Sequence, residues 1–299
     1  MNCYALMRAL LLGLFFQYVC AAPIADSSSI RAIYLFKDVL KSNTTAIKTS
    51  GFNTLVIFGV GILENGDIMY YSNTPGSKDT LIASNGGYVG GDALAEKVSG
   101  FKKGDETGIN RVEISMNSQH VLDLMRTPGP GATTPLYRNF AALKAAWSLD
   151  AVNNDDESIY DASSTVAFAK MLGEAGYKYT IAPYTNTRHW ASVTTQANSG
   201  LKEPDLLLDR VYLQCYDGGA GNDPGSWQST LGMKVVPLIW VTNDSKPSQG
   251  TTASQARSRF SSWNSRSTIA GGGYWNDYDI EKMGLSYTAY GDVLKSIFP

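Results

Sequence analysis

Short apolar runs alternate along this chain with segments of helical pattern, and that alternation limits the folds it can adopt. Eight runs are predicted as strands, within residues 30–39, 52–60, 110–115, 148–157, 177–183, 210–217, 233–241 and 268–275. Helices are predicted over residues 39–49, 93–98, 136–147, 163–175, 254–263 and 287–297. Eight strand-and-helix units in one domain of about 250–275 residues are typical of an α/β (β/α)8 TIM barrel. An open doubly wound sheet also alternates, but it usually carries a Gly-rich phosphate loop that this sequence lacks.

A hairpin is predicted to project from the end of the second strand. Glu64-Asn65-Gly66-Asp67 lies between the apolar pairs Ile62-Leu63 and Ile68-Met69. An Asn-Gly pair favours the positive backbone angles of a two-residue hairpin turn.

The amino terminus has the pattern of a secretory signal peptide, predicted over residues 1–21. Arg8 precedes an apolar run that ends at Ala21-Ala22-Pro23 and is too short to span a bilayer. The mature protein is therefore expected to be secreted and extracellular, with the barrel over residues 27–299. Cys3 and Cys20 would leave with the signal, so Cys215 alone would remain and no intramolecular disulfide could form.

Charge and composition exclude several classes of partner. The formal net charge is −2 and there is no basic stripe, so nucleic acid and anionic membrane surfaces are not expected partners. No later stretch reaches the length of a membrane helix, and nothing indicates an obligate oligomer, so a monomer is expected. Asn43 and Asn243 begin N-glycosylation sequons.

The fourth predicted strand runs into a dense acidic end. A period of two places Asn153, Asp155 and Glu157 on one face. Two carboxylates that crowd each other in this way hold a proton more readily than in water, as a general acid requires. Active residues of a (β/α)8 barrel lie at the carboxyl ends of strands. Polar and aromatic residues do accumulate at these ends, namely Asp155, Glu157, Tyr184, Asn186, Tyr216, Asp217, Trp240 and Trp275.

Three motifs together resemble glycoside hydrolase family 18, the chitinases and endo-β-N-acetylglucosaminidases. Asp150-x-x-Asn153-x-Asp155-x-Glu157 is similar to the family signature Asp-x-x-Asp-x-Asp-x-Glu on the fourth strand. Gln214-Cys215-Tyr216-Asp217 resembles the sixth-strand motif, and Gly271-Gly272-Gly273-Tyr274-Trp275 resembles the end of the eighth strand. The motifs occur in the family's order and at about its separations, and the barrel they imply covers nearly the whole mature chain.

The resemblance implies a retaining glycosidase whose substrate supplies its own nucleophile, with no metal or organic cofactor. Glu157 would be the general acid, Asp155 would hold the acetamido N–H, and Tyr216 would bind the acetamido oxygen. Asp217 would bind a sugar hydroxyl or orient the amide, and Trp275 would stack under the ring. The further candidates for substrate binding are Asn153, Gln214, Tyr34 and Tyr184. The implied substrate is a GlcNAc-containing oligo- or polysaccharide, either chitin or the core of N-linked glycans.

The chain departs from the family pattern at two places. Asn153 replaces an aspartate, and Ser115-Met116-Asn117-Ser118 keeps only the serine of the third-strand motif Ser-x-Gly-Gly. These departures leave two alternatives open: a barrel that binds GlcNAc chains without turnover, and a hydrolase of another polysaccharide. Too few residues separate the last two strands for the extra α+β domain of some family members, which predicts an open cleft and internal cleavage.

Other residues are expected to have structural roles. Cys215 has the parity of an outward-facing core residue, and Asp156 is expected to cap the next helix or form a salt bridge. His120 and His189 lack metal-ligand spacing and are interpreted as surface or structural residues. Tyr34 is compatible with either a core or a substrate-binding position.

Overall fold

The computed structural model describes residues 29–299, so the predicted signal peptide lies outside the described residues. The strands of this part are β1 (Ile30–Leu35), β2 (Thr54–Ile62), β3 (Ile68–Tyr70), β4 (Thr80–Ser84), β5 (Gly87–Tyr88), β6 (Arg111–Met116), β7 (Ala151–Asn154), β8 (Lys178–Ile181), β9 (Leu208–Gln214), β10 (Val236–Trp240) and β11 (Gly271–Trp275). The helices are α1 (Thr44–Thr49), α2 (Asp92–Ser99), α3 (Val121–Arg126), α4 (Pro135–Trp147), α5 (Ala162–Glu174), α6 (Thr187–Ala197), α7 (Pro224–Leu231), α8 (Ala253–Arg266), α9 (Asp277–Lys282) and α10 (Tyr287–Ile297).

Eight of these strands close into a parallel barrel. The sheet runs β1, β11, β10, β9, β8, β7, β6 and β2, and β1 also pairs in parallel with β2. Helices connect the successive barrel strands, as parallel strands require. The predicted single-domain (β/α)8 TIM barrel is therefore confirmed.

The second barrel strand continues beyond the barrel and carries a small antiparallel sheet. β2 pairs with β3 through Ile62 and Ile68, so the predicted hairpin is confirmed. β3 pairs in turn with β4, and β4 with β5, and this extension was not predicted. The extension lies beside the carboxyl end of β2, where an active site would lie.

The core consists of two shells. The outer shell, between the strands and the helices, is the larger and includes Cys215, as its parity predicts. The inner shell fills the barrel with tyrosine and small aliphatic side chains. Gly273 makes room for it, since a Cβ there would lie 2.6 Å from Leu238 and 3.0 Å from the Cβ of Ala32.

Several predicted boundaries were wrong. Residues 39–43 precede α1, which begins at Thr44 because Asn43 caps it. Asp161 caps α5 by accepting from the backbone N–H of Ser164, so neither Ser163 nor Ser164 is the cap. Helices α3, α6, α7 and α9 were not predicted. Between β10 and β11 the chain forms only a 3-10 turn and α8, which confirms the absence of an extra domain there.

None of the helices within residues 29–299 has the length and apolar character needed to cross a membrane.

Candidate active site

A cavity of about 380 Å3 lies at the carboxyl ends of the barrel strands. Parallel strands all end on the same side of a barrel, so residues distant in sequence meet there. The lining residues come from the ends of β2, β7, β8, β9, β10 and β11, and they are Phe58, Asp155, Glu157, Tyr184, Gln214, Tyr216, Asp217, Gly218, Trp240 and Trp275. Seven of the nine site residues predicted from the sequence are among them.

Two of the three carboxyl groups that line the cavity, those of Asp155 and Glu157, share one amide. The Nε2 of Gln214 lies 3.1 Å from Oδ1 of Asp155 and 3.5 Å from Oε1 of Glu157. The same nitrogen donates to the carbonyl oxygen of Ala182 at 2.9 Å, which holds the amide in place. β7 ends at Asn154, so Glu157 lies beyond the strand and is exposed, whereas Asp155 is partly buried. The backbone N–H of Asp155 still donates to the carbonyl of Met116 on the neighbouring strand at 2.8 Å. The strand face predicted for Asn153, Asp155 and Glu157 therefore does not extend to Glu157.

Asp155 is a carboxyl group that favours its protonated form. Burial raises its pKa to about 8, with the nearby charges of Glu157 and Asp156 adding to the effect. Burial also raises the pKa of Tyr216 well above its usual value, so its phenol stays a neutral hydroxyl. Below pH 8 the carboxyl group of Asp155 and the phenol of Tyr216 can therefore both donate and accept hydrogen bonds.

Aromatic rings form one wall and the floor of the cavity. The ring of Trp275 lies 4.8 Å from that of Phe58 and 5.4 Å from that of Phe36, edge to face in both cases. Its ring is nearly parallel to that of Tyr216, with centroids 6.5 Å apart. Trp275 remains partly exposed and fixed on several sides. It therefore offers a flat apolar surface of the kind that stacks against a sugar ring.

Side-chain contacts hold Trp240, Asp217 and Tyr184 in place at the rim of the cavity. The Nε1 of Trp240 donates to Oδ2 of the buried Asp279 at 2.7 Å. Asp217 is exposed and forms an ion pair with Lys246. Tyr184 packs over Gly218, where a Cβ would lie 3.0 Å from its ring. These contacts leave the rim open to solvent.

Two of the predicted substrate-binding residues do not reach the cavity. Asn153 is 0% exposed and Tyr34 is 2% exposed, and the hydroxyl of Tyr34 donates to Oδ1 of Asn153 at 3.1 Å. Both lie inside the barrel below the cavity, because their strand positions point into the inner shell. Neither residue lines the cavity in this structure, so an influence on a ligand would act through other residues.

A second cavity, of about 420 Å3, adjoins the first and shares Phe58, Asp155 and Glu157 with it. Its other walls come from the β3 extension and from the segments after β6 and β7, and include Tyr71, Asn73, Asn117, Ser118, Gln119 and Ile159. Tyr71 lies against β2 at Gly61, where a Cβ would lie 2.5 Å from the ring. The two cavities together form an open cleft with Glu157 between them.

The other residues of the second cavity and the two phenylalanines beside Trp275 were not predicted as site residues. Phe36 and Phe58 were interpreted as parts of buried strands, although their places at strand ends could have marked them. Asn73 and Asn117 follow β3 and β6 in turns, and no local pattern distinguishes them from ordinary turn residues.

Other residues have structural contacts. Asp156 is buried and accepts from the backbone N–H groups of Ser158, Ile159 and Tyr160, so it holds the turn before α5 and does not cap the helix itself, although this was predicted. His189 packs edge to face on the ring of Trp190 at 4.8 Å. Within residues 29–299 no group of His, Cys, Asp and Glu is arranged to hold a metal ion.

The fold and the cleft define a (β/α)8 barrel with carboxyl and aromatic groups at its mouth. No protein-family model matches the chain, and no curated protein matches it in sequence. Solved structures do match it in fold. A family 18 chitinase from Pseudoalteromonas aurantia has a TM-score of 0.64 and 12% identity, over 90% of this chain and 100% of that chain.

Two further solved structures are similar in fold, with lower TM-scores. The spore cortex-lytic enzyme SleL of Bacillus cereus has a TM-score of 0.57 and 11% identity, over 91% of this chain and 75% of that chain. A mutant class V chitinase of Nicotiana tobaccum in complex with NAG4 has a TM-score of 0.56 and 12% identity, over 90% and 100%. The resemblance predicted from the three motifs is therefore confirmed at the level of the fold.

Proposed function

We propose that this protein is a secreted glycoside hydrolase that cleaves β-1,4 bonds next to N-acetylglucosamine. The observation that carries the proposal is the meeting of Glu157, Asp155, Tyr216 and Trp275 around one cavity at the mouth of the barrel. The complex of the similar tobacco chitinase with NAG4 supports a GlcNAc oligosaccharide as the ligand class. The proposed secretion depends on the first 21 residues of the sequence.

In the proposed reaction Glu157 protonates the glycosidic oxygen as the bond to the anomeric carbon breaks. The acetamido oxygen of the same sugar attacks that carbon, which gives an oxazolinium ring. Water then opens the ring and returns its proton to Glu157, so the anomeric configuration is retained. Exposure of Glu157 to the cleft gives it access to both the leaving group and the water.

Asp155 and Tyr216 would orient the acetamido group for this attack. Asp155 can accept from the acetamido N–H in either protonation state, and its ionised form stabilises the positive charge that develops on the ring. The neutral phenol of Tyr216 donates to the acetamido oxygen. Trp275 stacks beneath the sugar, while Gln214 keeps the two carboxyl groups side by side.

The placement of the carboxyl groups favours this reaction over one that uses two opposed carboxylates. Asp155 and Glu157 both follow the end of one strand. Oδ1 of Asp155 and Oε1 of Glu157 lie on the same side of the cavity, because both are next to Nε2 of Gln214, at 3.1 and 3.5 Å. An inverting glycosidase needs its two carboxylates on opposite faces of the sugar. The open cleft on both sides of Glu157 also favours cleavage within a chain.

The test is to incubate the purified protein with chito-oligosaccharides and with high-mannose glycopeptides and to follow the products by mass spectrometry. Glu157→Gln removes the transferable proton at nearly constant shape, and it is expected to reduce hydrolysis by about 100-fold or more. Glu106→Gln, an exposed residue outside the cleft, is the matched control and should retain full activity.

The outcomes separate the proposed function from its alternatives. Hydrolysis by the wild type and by Glu106→Gln, with loss in Glu157→Gln, supports the proposal. Binding of the oligosaccharide without hydrolysis by the wild type indicates a GlcNAc-binding barrel instead. If the wild type neither binds nor hydrolyses these substrates, a GlcNAc ligand is refuted. A hydrolase of another polysaccharide is then the function to test.

A further inference from the structure

A chain of hydrogen bonds between side chains crosses the interior of the barrel below the cleft. The hydroxyl of Tyr34 donates to Oδ1 of Asn153 at 3.1 Å, and Nδ2 of Asn153 donates to Oγ1 of Thr180 at 2.9 Å. The hydroxyl of Thr180 donates to Oε2 of Glu113 at 2.6 Å. The chain therefore starts at a residue near the cleft and ends at a carboxylate in the core.

Glu113 is a fully buried carboxylate on β6, with 0% of its surface exposed. Its Oε1 accepts from Nε of Arg111 and from the hydroxyl of Tyr212, both at 2.7 Å. Arg210 lies 3.9 Å from the same oxygen. Two guanidinium groups and three donated hydrogen bonds compensate for burial of the charge, as a buried carboxylate requires.

The carboxylate determines the direction of every bond in the chain. An ionised carboxylate can only accept hydrogen bonds, so the single hydroxyl hydrogen of Thr180 must be donated to Glu113. Its oxygen then accepts from the amide of Asn153, which must turn its NH2 group toward Thr180. The carbonyl oxygen of Asn153 consequently faces Tyr34 and accepts a hydrogen bond from its hydroxyl. Without the charge of Glu113, either orientation of the Asn153 amide could be satisfied.

A second route leads from Glu113 to the same place. Tyr212, which donates to Glu113, has its ring edge to face with the ring of Tyr34 at 6.0 Å. The ring of Tyr34 in turn lies 5.7 Å from the ring of Trp275 in the cleft. Both routes from the buried carboxylate thus meet at Tyr34, directly beneath the aromatic floor.

We propose that Glu113 is a positioning residue, which fixes Asn153 and Tyr34 and thereby holds the floor of the cleft in place for hydrolysis. The inference rests on the proposed function for its effect on turnover, but the fixed orientation of Asn153 does not depend on it. A displaced floor would misplace the bound sugar relative to Glu157, and small misplacements reduce turnover strongly. The partners of Glu113 in hydrogen bonds and ion pairs are Arg111, Arg210, Tyr212 and Thr180, and none of them lines the cavity, so Glu113 would act through other side chains.

The test interrupts the hydrogen-bond chain by a substitution at Thr180 and leaves Glu113 in place. Glu113→Gln would remove the carboxylate beside Arg210 and leave Arg111 paired with Asp209, and this loss of buried charge compensation could destabilise the barrel. Thr180→Val keeps the shape but removes the hydroxyl, whereas Thr180→Ser keeps the hydroxyl and is the matched control. Both variants are compared with the wild type as full chains, after their folding is checked by circular dichroism and thermal unfolding.

Two readouts follow, and only the second needs activity. The side-chain amide resonances of Asn153 are assigned by their loss in Asn153→Asp, and they should shift in Thr180→Val but remain near the wild-type position in Thr180→Ser. Thr180→Val should lower kcat for chitotetraose about tenfold with little change in KM, and Thr180→Ser should stay within about twofold of the wild type.

Each outcome decides one claim. A folded Thr180→Val protein with unchanged Asn153 resonances and the kcat of Thr180→Ser overturns the positioning role. Equal loss of kcat in both variants also overturns it, since a role of the hydroxyl requires rescue by serine. If the wild type hydrolyses nothing, the proposed function fails, and the Asn153 resonances together with the Kd for chitotetraose still decide whether the chain positions the floor.

Discussion

Replacing Asp155 by asparagine should make the protein less sensitive to alkaline pH. Burial and the charges of Glu157 and Asp156 raise the pKa of Asp155 from 3.8 to about 8. Between these pH values the folded protein holds a proton that the unfolded chain has lost. The stability from this group is therefore fully present below the unfolded pKa and is lost as pH rises through the folded one. From pH 6 to pH 8 the loss is about 2 kcal/mol, and Asp155→Asn should avoid it.

The assay is urea unfolding of the wild type and Asp155→Asn at pH 6 and pH 8, followed by tryptophan fluorescence. The free energy of unfolding of the variant, relative to the wild type, should rise by about 2 kcal/mol across this range. Asp277, whose pKa burial raises to about 7, affects both proteins alike and cancels in the comparison. Asp105→Asn, at an exposed loop position, is the control and should follow the wild type. A difference between Asp155→Asn and the wild type that does not change with pH would refute the reasoning.

Burial and contacts lead to four other predictions. Trp275→Ala should weaken binding of chitotetraose by about 2 kcal/mol, or roughly thirtyfold in Kd by titration calorimetry, and a smaller loss would contradict its role as the floor. Ser115→Ala should change the free energy of unfolding by less than about 0.5 kcal/mol, because its buried hydroxyl has no hydrogen-bond partner within residues 29–299. Ser118→Ala, which loses a 3.0 Å bond to Asn154, should cost about 1 kcal/mol in the same urea assay, and equal costs would contradict this contrast. After expression in a eukaryotic secretory host, glycopeptide mass spectrometry should find glycan at the exposed Asn43 but not at Asn243, which is 2% exposed and donates to the Val241 carbonyl.

The barrel could be predicted because its strands are buried on both faces. β2 is almost entirely apolar, and such a run is distinctive in the sequence. Helix α6 was missed because it is rich in threonine and serine, and because Asn186 precedes it without forming a side-chain cap. β4 and β5 are short and lie outside the barrel, so their pattern is too brief to separate from a loop.

The residues around the cleft could be predicted because they follow strands, and all such ends meet at one mouth. The Glu113 network could not, since a charged residue inside an apolar strand is usually assigned to an exposed or edge position. Glu113, Asn153 and Thr180 become neighbours only when β6, β7 and β8 pair side by side. Asn153 and Tyr34 were assigned to the substrate for the same reason, because strand parity gives the direction of a side chain but not its depth.

The extension built on β2 separates two tasks in this molecule. The acid and the aromatic floor belong to the closed barrel, whereas Tyr71 and Asn73 stand on a small sheet attached to one strand only. The same small sheet is anchored from outside the barrel, because the side chain of Asn139 on α4 bonds the backbone of Gly66 and of Gly86. Sequence changes at Tyr71 or Asn73 would therefore alter one side of the groove without touching the barrel strands.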